Sequence, residues 1–162
     1  MSVVYLSLGS NLGDRRGNLD ACLSHLGAIG DITKVSSLYE TEPVEIRDQP
    51  WFLNCAVELA TELTPQELLA AVKRIEEDMG RRRTIPKGPR TIDIDILLFG
   101  SQVIDEADLQ IPHPAMHERK FVLAPLAEIA PEVRHPTSGR RIRQLLAELG
   151  SQAAEVKRLV TK

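Results

Sequence analysis

The distribution of apolar and polar residues at the start of the chain predicts a strand followed by a helix. Residues 3–8 form an apolar, β-rich run, and the polar and glycine residues after it end the strand. In residues 15–26 the apolar side chains recur at intervals of three and four, which predicts a helix with one buried face. Asp14, directly before this helix, is a residue type that caps helix N-termini.

Two further strands are predicted at residues 32–39 and 52–60. In the second of them apolar residues alternate with polar ones, as expected of a strand with one buried face. The ten-residue connection 41–50 contains two prolines and is too long for a tight hairpin. Because long loops on a rigid scaffold often carry function, this connection is a candidate for ligand binding.

The second helix has the clearest local signals in the chain. Thr64 supplies a hydroxyl for the N-cap, Pro65 stands at the first helical position, and Glu67 completes a capping box. Gly80 is a signal for the end of the helix. A strand is predicted next, at residues 91–98.

Beyond that strand, Gly100 and Ser101 are expected to turn the chain into residues 102–104 as a hairpin. Helices are predicted at residues 121–129 and 142–149. The order β-α-β-β-α-β of the earlier elements is that of the ferredoxin-like split unit, an α+β fold. In this fold two helices pack on one face of a mainly antiparallel sheet.

No internal repeat or linker indicates a second domain, so residues 1–162 are expected to form one domain. It would consist of the ferredoxin-like βαββαβ core, an added hairpin and C-terminal helices.

Charge and composition narrow the classes of partner. The chain has 20 Lys and Arg against 23 Asp and Glu, a formal net charge of −3. This balance gives no whole-chain argument for nucleic acid or an anionic membrane, and we expect neither as a partner. Any anion site must therefore be local.

The cysteines and the lack of long apolar runs bear on the compartment. Cys22 and Cys55 lie in apolar stretches, which is typical of buried free thiols. No run approaches the roughly 20 apolar residues that span a bilayer, and the N-terminus has no secretory-signal pattern. The sequence therefore favours a cytoplasmic protein.

Asp93 and Asp95 form the most distinctive chemical feature of the sequence. Because side chains alternate across a strand, both carboxylates are expected on one face, and Ile92, Ile94 and Ile96 on the core face. Neighbouring carboxylates repel unless a cation or several donors lie between them, and Mg²⁺ prefers such oxygen ligands. A solvated strand face that carries two acids is the alternative interpretation.

Five cationic residues precede the acids within ten positions: Arg81, Arg82, Arg83, Lys87 and Arg90. Mg²⁺-dependent phosphoryl transfer needs carboxylates beside guanidiniums, because the metal bridges phosphate oxygens while arginine neutralises developing charge. One or two of the first three arginines have another explanation, since cations at a helix C-terminus complement its dipole. Three in succession before a loop favour an anion site.

Residues 113–121 provide further candidates. His113 lies between two prolines, so a zinc pair with His117 on one helical turn is not expected. A phosphate contact and a simple surface position both remain open for His113, whereas His117 is expected at the surface. Arg119 and Phe121 are also compatible with a solvated residue beside a core residue.

The ordered set of motifs resembles the 6-hydroxymethyl-7,8-dihydropterin pyrophosphokinase family of folate biosynthesis. The resemblance covers nearly the whole chain, and the Gly-Pro-Arg-Thr-x-Asp-x-Asp segment is highly specific to that family. The matching blocks are residues 5–11, 35–41, 49–54, 74–77, 80–81, 88–100, 111–114 and 119–126.

The resemblance implies transfer of the β,γ-pyrophosphoryl group of ATP to the hydroxymethyl oxygen of 6-hydroxymethyl-7,8-dihydropterin, with AMP as the other product. Asp93 and Asp95 would bind two Mg²⁺ ions, which clamp the attacking and leaving oxygens. No side chain stands out as a general base, which does not count against the assignment because positioning and metal electrostatics can drive such a transfer. Asp95 and a metal-bound water are the two candidates for taking the hydroxyl proton. The implied catalytic residues are Arg81, Arg83, Arg90 and Asp95, and the implied ATP-binding residues are Lys73, Glu76, Arg81, Arg83, Arg90, His113 and Arg119.

The pterin is flat and rich in hydrogen-bonding groups, so it should require an aromatic clamp and polar partners at its edge. The resemblance assigns the clamp to Phe52 and Phe121, and the edge to Asn54 and the backbone of residues 41–44. The implied pterin-binding residues are Thr41, Pro43, Val44, Phe52, Asn54, Asp93 and Phe121. A monomer is expected.

Three positions depart from the family pattern. Phe52 replaces a common tyrosine, which keeps ring stacking but removes a hydroxyl. Lys87 stands where some members have a tryptophan that closes over the pterin, in a loop one residue shorter than theirs. Lys73 stands where some relatives have glutamine.

Two kinds of enzyme and one kind of binding protein also fit part of the pattern. Nucleotidyltransferases and glycosyltransferases also use an acidic pair, but the nucleotidyltransferase signature has Gly-Ser only about a dozen residues before its acids. Here Gly9 and Ser10 lie more than 80 residues upstream. A non-enzymatic nucleotide-binding module of ferredoxin-like fold would explain the arginines but not the paired acids.

Overall fold

The computed structural model describes residues 1–41, 51–80, 91–150 and 156–159. The predictions for Pro43, Val44, Arg81, Arg82, Arg83, Lys87 and Arg90 lie outside these residues. The elements are β1 (Ser2–Ser10), α1 (Arg15–Gly27), β2 (Asp31–Val35), β3 (Tyr39–Thr41), β4 (Phe52–Thr61), α2 (Pro65–Asp78), β5 (Asp93–Phe99), β6 (Ile104–Glu106), β7 (Leu109–Ile111), a 3-10 turn (Met116–Glu118), α3 (Lys120–Ile129), α4 (Ile142–Leu149) and β8 (Val156–Arg158).

One six-stranded antiparallel sheet forms the centre of the fold. β1 lies between β5 and β4 and pairs with both. β4 pairs in turn with β2 and β3, and β8 adds to the free edge of β3. This strand order is that of the ferredoxin-like unit, so the predicted α+β class is confirmed.

Side chains alternate between the two faces of the sheet along each strand, and two helices cover each face. Val4, Leu6 and Leu8 of β1 are fully buried in one apolar cluster with residues of α1 and α2, as the predicted split unit requires. α3 and α4 cover the opposite face in a second cluster. Both cysteines are free and buried, as predicted. No helix in the described parts of the chain is long and apolar enough to cross a bilayer.

Both predicted helix starts are confirmed. The Asp14 carboxylate accepts the Gly17 N–H at 3.1 Å, which caps α1. At α2 the Glu67 N–H donates to the Thr64 hydroxyl at 3.1 Å, and the Thr64 N–H donates to the Glu67 carboxylate at 2.9 Å. These contacts satisfy donors that a helix leaves unpaired at its first turn.

The single strand predicted at residues 32–39 is wrong, because Ser36 interrupts it. The Ser36 N–H donates to the Ala56 carbonyl at 2.9 Å, and the Ser36 hydroxyl accepts the Ala56 N–H at 2.8 Å. A side chain thus takes the place of a backbone acceptor, and residues 36–38 leave the regular ladder. The chain pairs with β4 again at Tyr39, so β2 and β3 share one partner strand.

The predicted hairpin between residues 102–104 and the preceding strand is also wrong. Gly100 does turn the chain, with φ of +53°, but β6 pairs with β7 in a separate two-stranded sheet. The His113 N–H donates to the Leu97 carbonyl at 3.0 Å, so the segment after β7 lies beside β5. The helices predicted at 121–129 and 142–149 are confirmed, whereas β8 and the 3-10 turn were not predicted.

Tyr5 and Glu58 form a polar pair between directly opposed residues of β1 and β4. The Tyr5 hydroxyl donates to Glu58 Oε2 at 2.5 Å, and the Thr33 hydroxyl donates to Oε1 at 2.8 Å. Burial would raise the pKa of Glu58, but these two hydrogen bonds and the charge of Lys34 outweigh it and hold the pKa below the usual range of a glutamate. The ionised carboxylate therefore stabilises the fold above its unfolded-state pKa, and this contribution is lost as the pH falls through the folded-state pKa.

Tyr5→Phe should lower the free energy of unfolding near neutral pH by about 1–2 kcal/mol, because a hydrogen bond to a charged group is lost. The deficit should shrink in acid, since protonation of Glu58 weakens the same bond in the wild-type protein. Urea unfolding of both proteins near neutral pH and well below pH 4.5 measures the difference. An equal deficit at both pH values would contradict the role of the Glu58 charge.

Candidate active site on one face of the sheet

β5 places the two acids on the face of the sheet opposite α1 and α2. Asp93 pairs with Gly9 of β1, and Asp95 pairs with Ser7. Ile94 and Ile96 point to the core on the other side, so the alternation predicted from the sequence is confirmed. Both carboxylates are half-buried, and the Asp95 side chain is 33% exposed.

No three Cys, His, Asp or Glu side chains group as metal ligands within the described part of the chain. A cation held by Asp93 and Asp95 would therefore take further ligands from elsewhere, such as a phosphate or water. Two half-exposed carboxylates on one strand face suit a hard cation of this kind.

His113 lies beside the acids, with Nε2 at 3.9 Å from Asp95 Oδ1. Its Nδ1 accepts the Ala115 N–H at 3.2 Å, so a neutral ring carries its proton on Nε2. Burial and the charge of Arg119 lower the pKa of His113, and Asp93 opposes them only in part. The favoured state is a neutral imidazole whose Nε2–H can donate to an anionic oxygen.

Arg119 and Phe121 stand at the start of α3. The Arg119 guanidinium carbon lies 5.7 Å from the centre of the Phe121 ring, within the range of a cation–π contact. Phe121 is half-buried and packs against the second apolar cluster. His117 lies in the 3-10 turn just before them and is exposed beside Glu118, so its predicted surface position is confirmed.

Asn54 and Thr41 form a buried polar pair further along the same face. Asn54 Nδ2 donates to Thr41 Oγ1 at 2.7 Å, and both residues are almost inaccessible to solvent. This bond turns Asn54 Oδ1 toward Gly9, where a β-carbon would come within 2.6 Å of it and 3.4 Å of the Phe52 ring. Only glycine allows these side chains to approach β1 so closely.

The register aligns these residues across the sheet. Asp93, Gly9 and Asn54 are successive partners on β5, β1 and β4. The acids thus lie on one side of the bare Gly9 backbone, and the amide and the Phe52 ring lie on the other. The role of Gly9 had few signals in the sequence. Gly9 ends a predicted strand and lies in the matching block 5–11, and the 9–13 loop is weak evidence for a phosphate cradle.

The two α2 candidates lie on the other side of the sheet. Glu76 is 6% exposed, and its Oε2 accepts the Ile94 N–H at 2.9 Å. It therefore ties α2 to the backbone between Asp93 and Asp95. Lys73 is exposed on α2. The ATP contacts of both residues stay predictions.

Comparison with known proteins gives one consistent description. The profile of the family described as "7,8-dihydro-6-hydroxymethylpterin-pyrophosphokinase (HPPK)" matches residues 5–131. The chain is 52% identical over 134 residues to the 2-amino-4-hydroxy-6-hydroxymethyldihydropteridine pyrophosphokinase of Bacillus subtilis, over 82% of this chain and 80% of that protein. It is 44% identical over 146 residues to the protein of the same name from Pseudomonas aeruginosa, over 89% of this chain and 90% of that one.

Longer proteins contain a similar region. The chain is 47% identical over 136 residues to the folic acid synthesis protein FOL1 of Dictyostelium discoideum, which covers 84% of this chain but only 21% of that protein. The solved structure of Plasmodium falciparum HPPK-DHPS is similar with a TM-score of 0.73 at 21% identity, over 94% of this chain and 44% of that one. At this identity the structural similarity shows the fold alone.

Gly9→Ala should lower the free energy of unfolding by about 1–3 kcal/mol, because the added methyl group overpacks against Asn54 Oδ1. It should also shift the side-chain amide NMR signals of Asn54, since that group must move. Gly27→Ala is the matched control, because beyond the chain neighbours and the backbone of its own helix no atom lies within 4 Å of the added β-carbon. Urea unfolding that gives equal stability for both variants would contradict the close approach at Gly9.

Proposed function

The chain belongs to the 7,8-dihydro-6-hydroxymethylpterin-pyrophosphokinase family, and we propose that the described face of its sheet is the active site. It transfers the β,γ-pyrophosphoryl group of ATP to the hydroxymethyl oxygen of 6-hydroxymethyl-7,8-dihydropterin, in a Mg²⁺-dependent reaction of folate biosynthesis. The hydroxymethyl oxygen forms a bond to the β-phosphorus of ATP. The bond between that phosphorus and the oxygen that bridges the α- and β-phosphates breaks. AMP leaves with this oxygen, and the hydroxyl proton passes to Asp95 or to water.

One observation carries this proposal: the two carboxylates lie on one side of the bare Gly9 backbone, and the Asn54 amide and the Phe52 ring lie on the other. A charged phosphate chain and a flat heterocycle need these two environments next to each other. The acids suit the metal-bound phosphates, and Asn54 with Phe52 suits the edge and the face of a ring.

Asp93 and Asp95 would hold two Mg²⁺ ions, since both are hard oxygen donors on one strand face. Bound there, the ions would neutralise phosphate charge and polarise the reacting oxygens. The Nε2–H of His113, which follows β7, and the guanidinium of Arg119, at the start of α3, donate to phosphate oxygens. Arg81, Arg83 and Arg90, outside the described residues, complete the proposed phosphate-binding set. Lys73 and Glu76 are proposed to contact ATP from the α2 side of β5.

On the side of Gly9 away from the acids, Asn54 meets the edge of the pterin, and Thr41 holds the Asn54 amide in one orientation. Phe52 and Phe121 clamp the faces of the ring, and Asp93 lies at the junction of the two substrates. Pro43 and Val44, outside the described residues, are proposed to complete the edge. A monomer acting in the cytoplasm is part of the same proposal.

The test of the reaction is the adenine product formed from ATP, Mg²⁺ and the pterin, with and without a chelator. AMP should form only when pterin and metal are both present. Release of ADP, turnover without pterin, or no turnover would contradict the proposal. ATP binding that needs no Mg²⁺ and leads to no product would favour a nucleotide-binding module instead.

Asp93→Asn and Asp95→Asn should each lower kcat by about 100-fold or more, because they remove charge stabilisation where phosphate charge develops. The melting temperature should change little, since both side chains are half-exposed. Asp105→Asn, at an exposed position of β6, is the matched control and should leave turnover unchanged. Wild-type turnover in either site variant would overturn the two-metal assignment.

A further inference from the structure

Arg15, the first residue of α1, contacts two segments that are distant from it in the sequence. Its Nη1 donates to the Trp51 carbonyl oxygen at 2.8 Å and lies 2.9 Å from Glu40 Oε2. The side chains of Arg15 and Glu40 are each 30% exposed, so the ion pair is partly shielded from solvent. One guanidinium therefore joins α1 to the end of β3 and to the start of β4.

These contacts fall immediately before two side chains of the proposed pterin site. Glu40 precedes Thr41, and Trp51 precedes Phe52. Thr41 and Phe52 are register partners and form the final pair of the β3–β4 ladder. Because side chains alternate along a strand, the Glu40 side chain points toward α1 and the Thr41 side chain points to the opposite face. There the Thr41 hydroxyl accepts a hydrogen bond from the Asn54 side-chain amide.

Helix electrostatics do not explain an arginine at this position. The N-terminus of a helix carries partial positive charge, so a cation in the first turn is unfavourable there. The Asp14 carboxylate caps this N-terminus, but the first turn of α1 itself contains no acidic residue. The compensating partners of Arg15 lie outside its own helix, at Glu40 and Trp51.

We propose that Arg15 is a positioning residue for the pterin site. It holds the Trp51 carbonyl just before β4 and the Glu40 carboxylate on β3, next to the last β3–β4 pair. In this way it sets Thr41 and Phe52 in the places from which Asn54 and the Phe52 ring meet the pterin. The proposal rests on the proposed function, because the pterin is the ligand that these side chains serve. A guanidinium donates in fixed directions to a carbonyl and a carboxylate together, which a lysine ammonium does less well.

The experiment compares Arg15→Ala with Arg16→Ala, which removes the same charge from the next, exposed position of α1. Arg15→Ala should raise KM for the pterin about tenfold, as expected for the loss of a charged hydrogen bond. KM for ATP should stay within about twofold, because Arg15 contacts Glu40 and Trp51, and neither is among the proposed ATP-binding residues. Arg16→Ala should leave both values within about twofold.

Two more variants keep the test decisive. Arg15→Lys retains the charge and should raise the pterin KM by a smaller factor than Arg15→Ala. This variant also tests the proposal if Arg15→Ala fails to fold. Glu40→Gln should act in the same direction, and the double variant Arg15→Ala/Glu40→Gln should be no worse than Arg15→Ala alone, because the two side chains form one contact. An unchanged pterin KM, or an equal rise in both KM values, would overturn the proposal.

A second measurement does not depend on turnover. Trp51 is the single tryptophan of the sequence, so its fluorescence anisotropy reports on the backbone that Arg15 holds. Arg15→Ala should lower this anisotropy, and Arg16→Ala should not. If the wild-type protein forms no AMP, the proposed function fails; unchanged anisotropy in Arg15→Ala would then separately overturn the role of Arg15.

Discussion

The pairing of β1 along both edges is the constraint on which the rest of the structure depends. β1 runs antiparallel to β4 on one side and to β5 on the other, so its register sets which residues of the three strands face each helical layer. A slip of one residue in either pairing would turn Asp93 or Asn54 into the apolar cluster beneath α1 and α2. The burial of Val4, Leu6 and Leu8 thus stabilises the same register that assembles the polar face.

α3 is held over that polar face by contacts at its far end. Glu128 accepts the Tyr39 hydroxyl at 2.7 Å and the Ser37 N–H and hydroxyl at 2.9 and 3.0 Å. Burial would raise the pKa of Glu128, but these hydrogen bonds and the charge of Arg158 together hold it low. The other end of α3 carries Arg119 and Phe121, so the position of these two side chains depends on contacts a helix length away.

The fold alone would not separate an enzyme from a binding module, because ferredoxin-like folds serve many unrelated functions. The distinction comes from the site. A nucleotide-binding module explains cations near a phosphate, but it has no use for two carboxylates placed beside a buried amide and an aromatic ring. Membership of the pyrophosphokinase family agrees with this arrangement, in which each half of the face suits one of two different substrates.

Elements fixed by neighbouring residues were predicted from the sequence. The two helix starts depend on contacts within a few residues: the capping box of α2 and the Asp14 cap of α1. The alternation of Asp93 and Asp95 with isoleucines depends only on strand geometry. The resemblance to the family followed from residues in order along the chain, without knowledge of where they meet.

Tertiary structure decided the features that depend on distant partners. Ser36 breaks a strand because it bonds to Ala56, and β6 pairs with β7 because the chain around His113 lies beside β5. Gly9 matters because Asn54 approaches it from another strand. The sequence determined which chemical groups the protein has and which local elements carry them; only folding determined which of those groups meet, because hydrogen bonds and packing between distant residues follow from the register of the sheet.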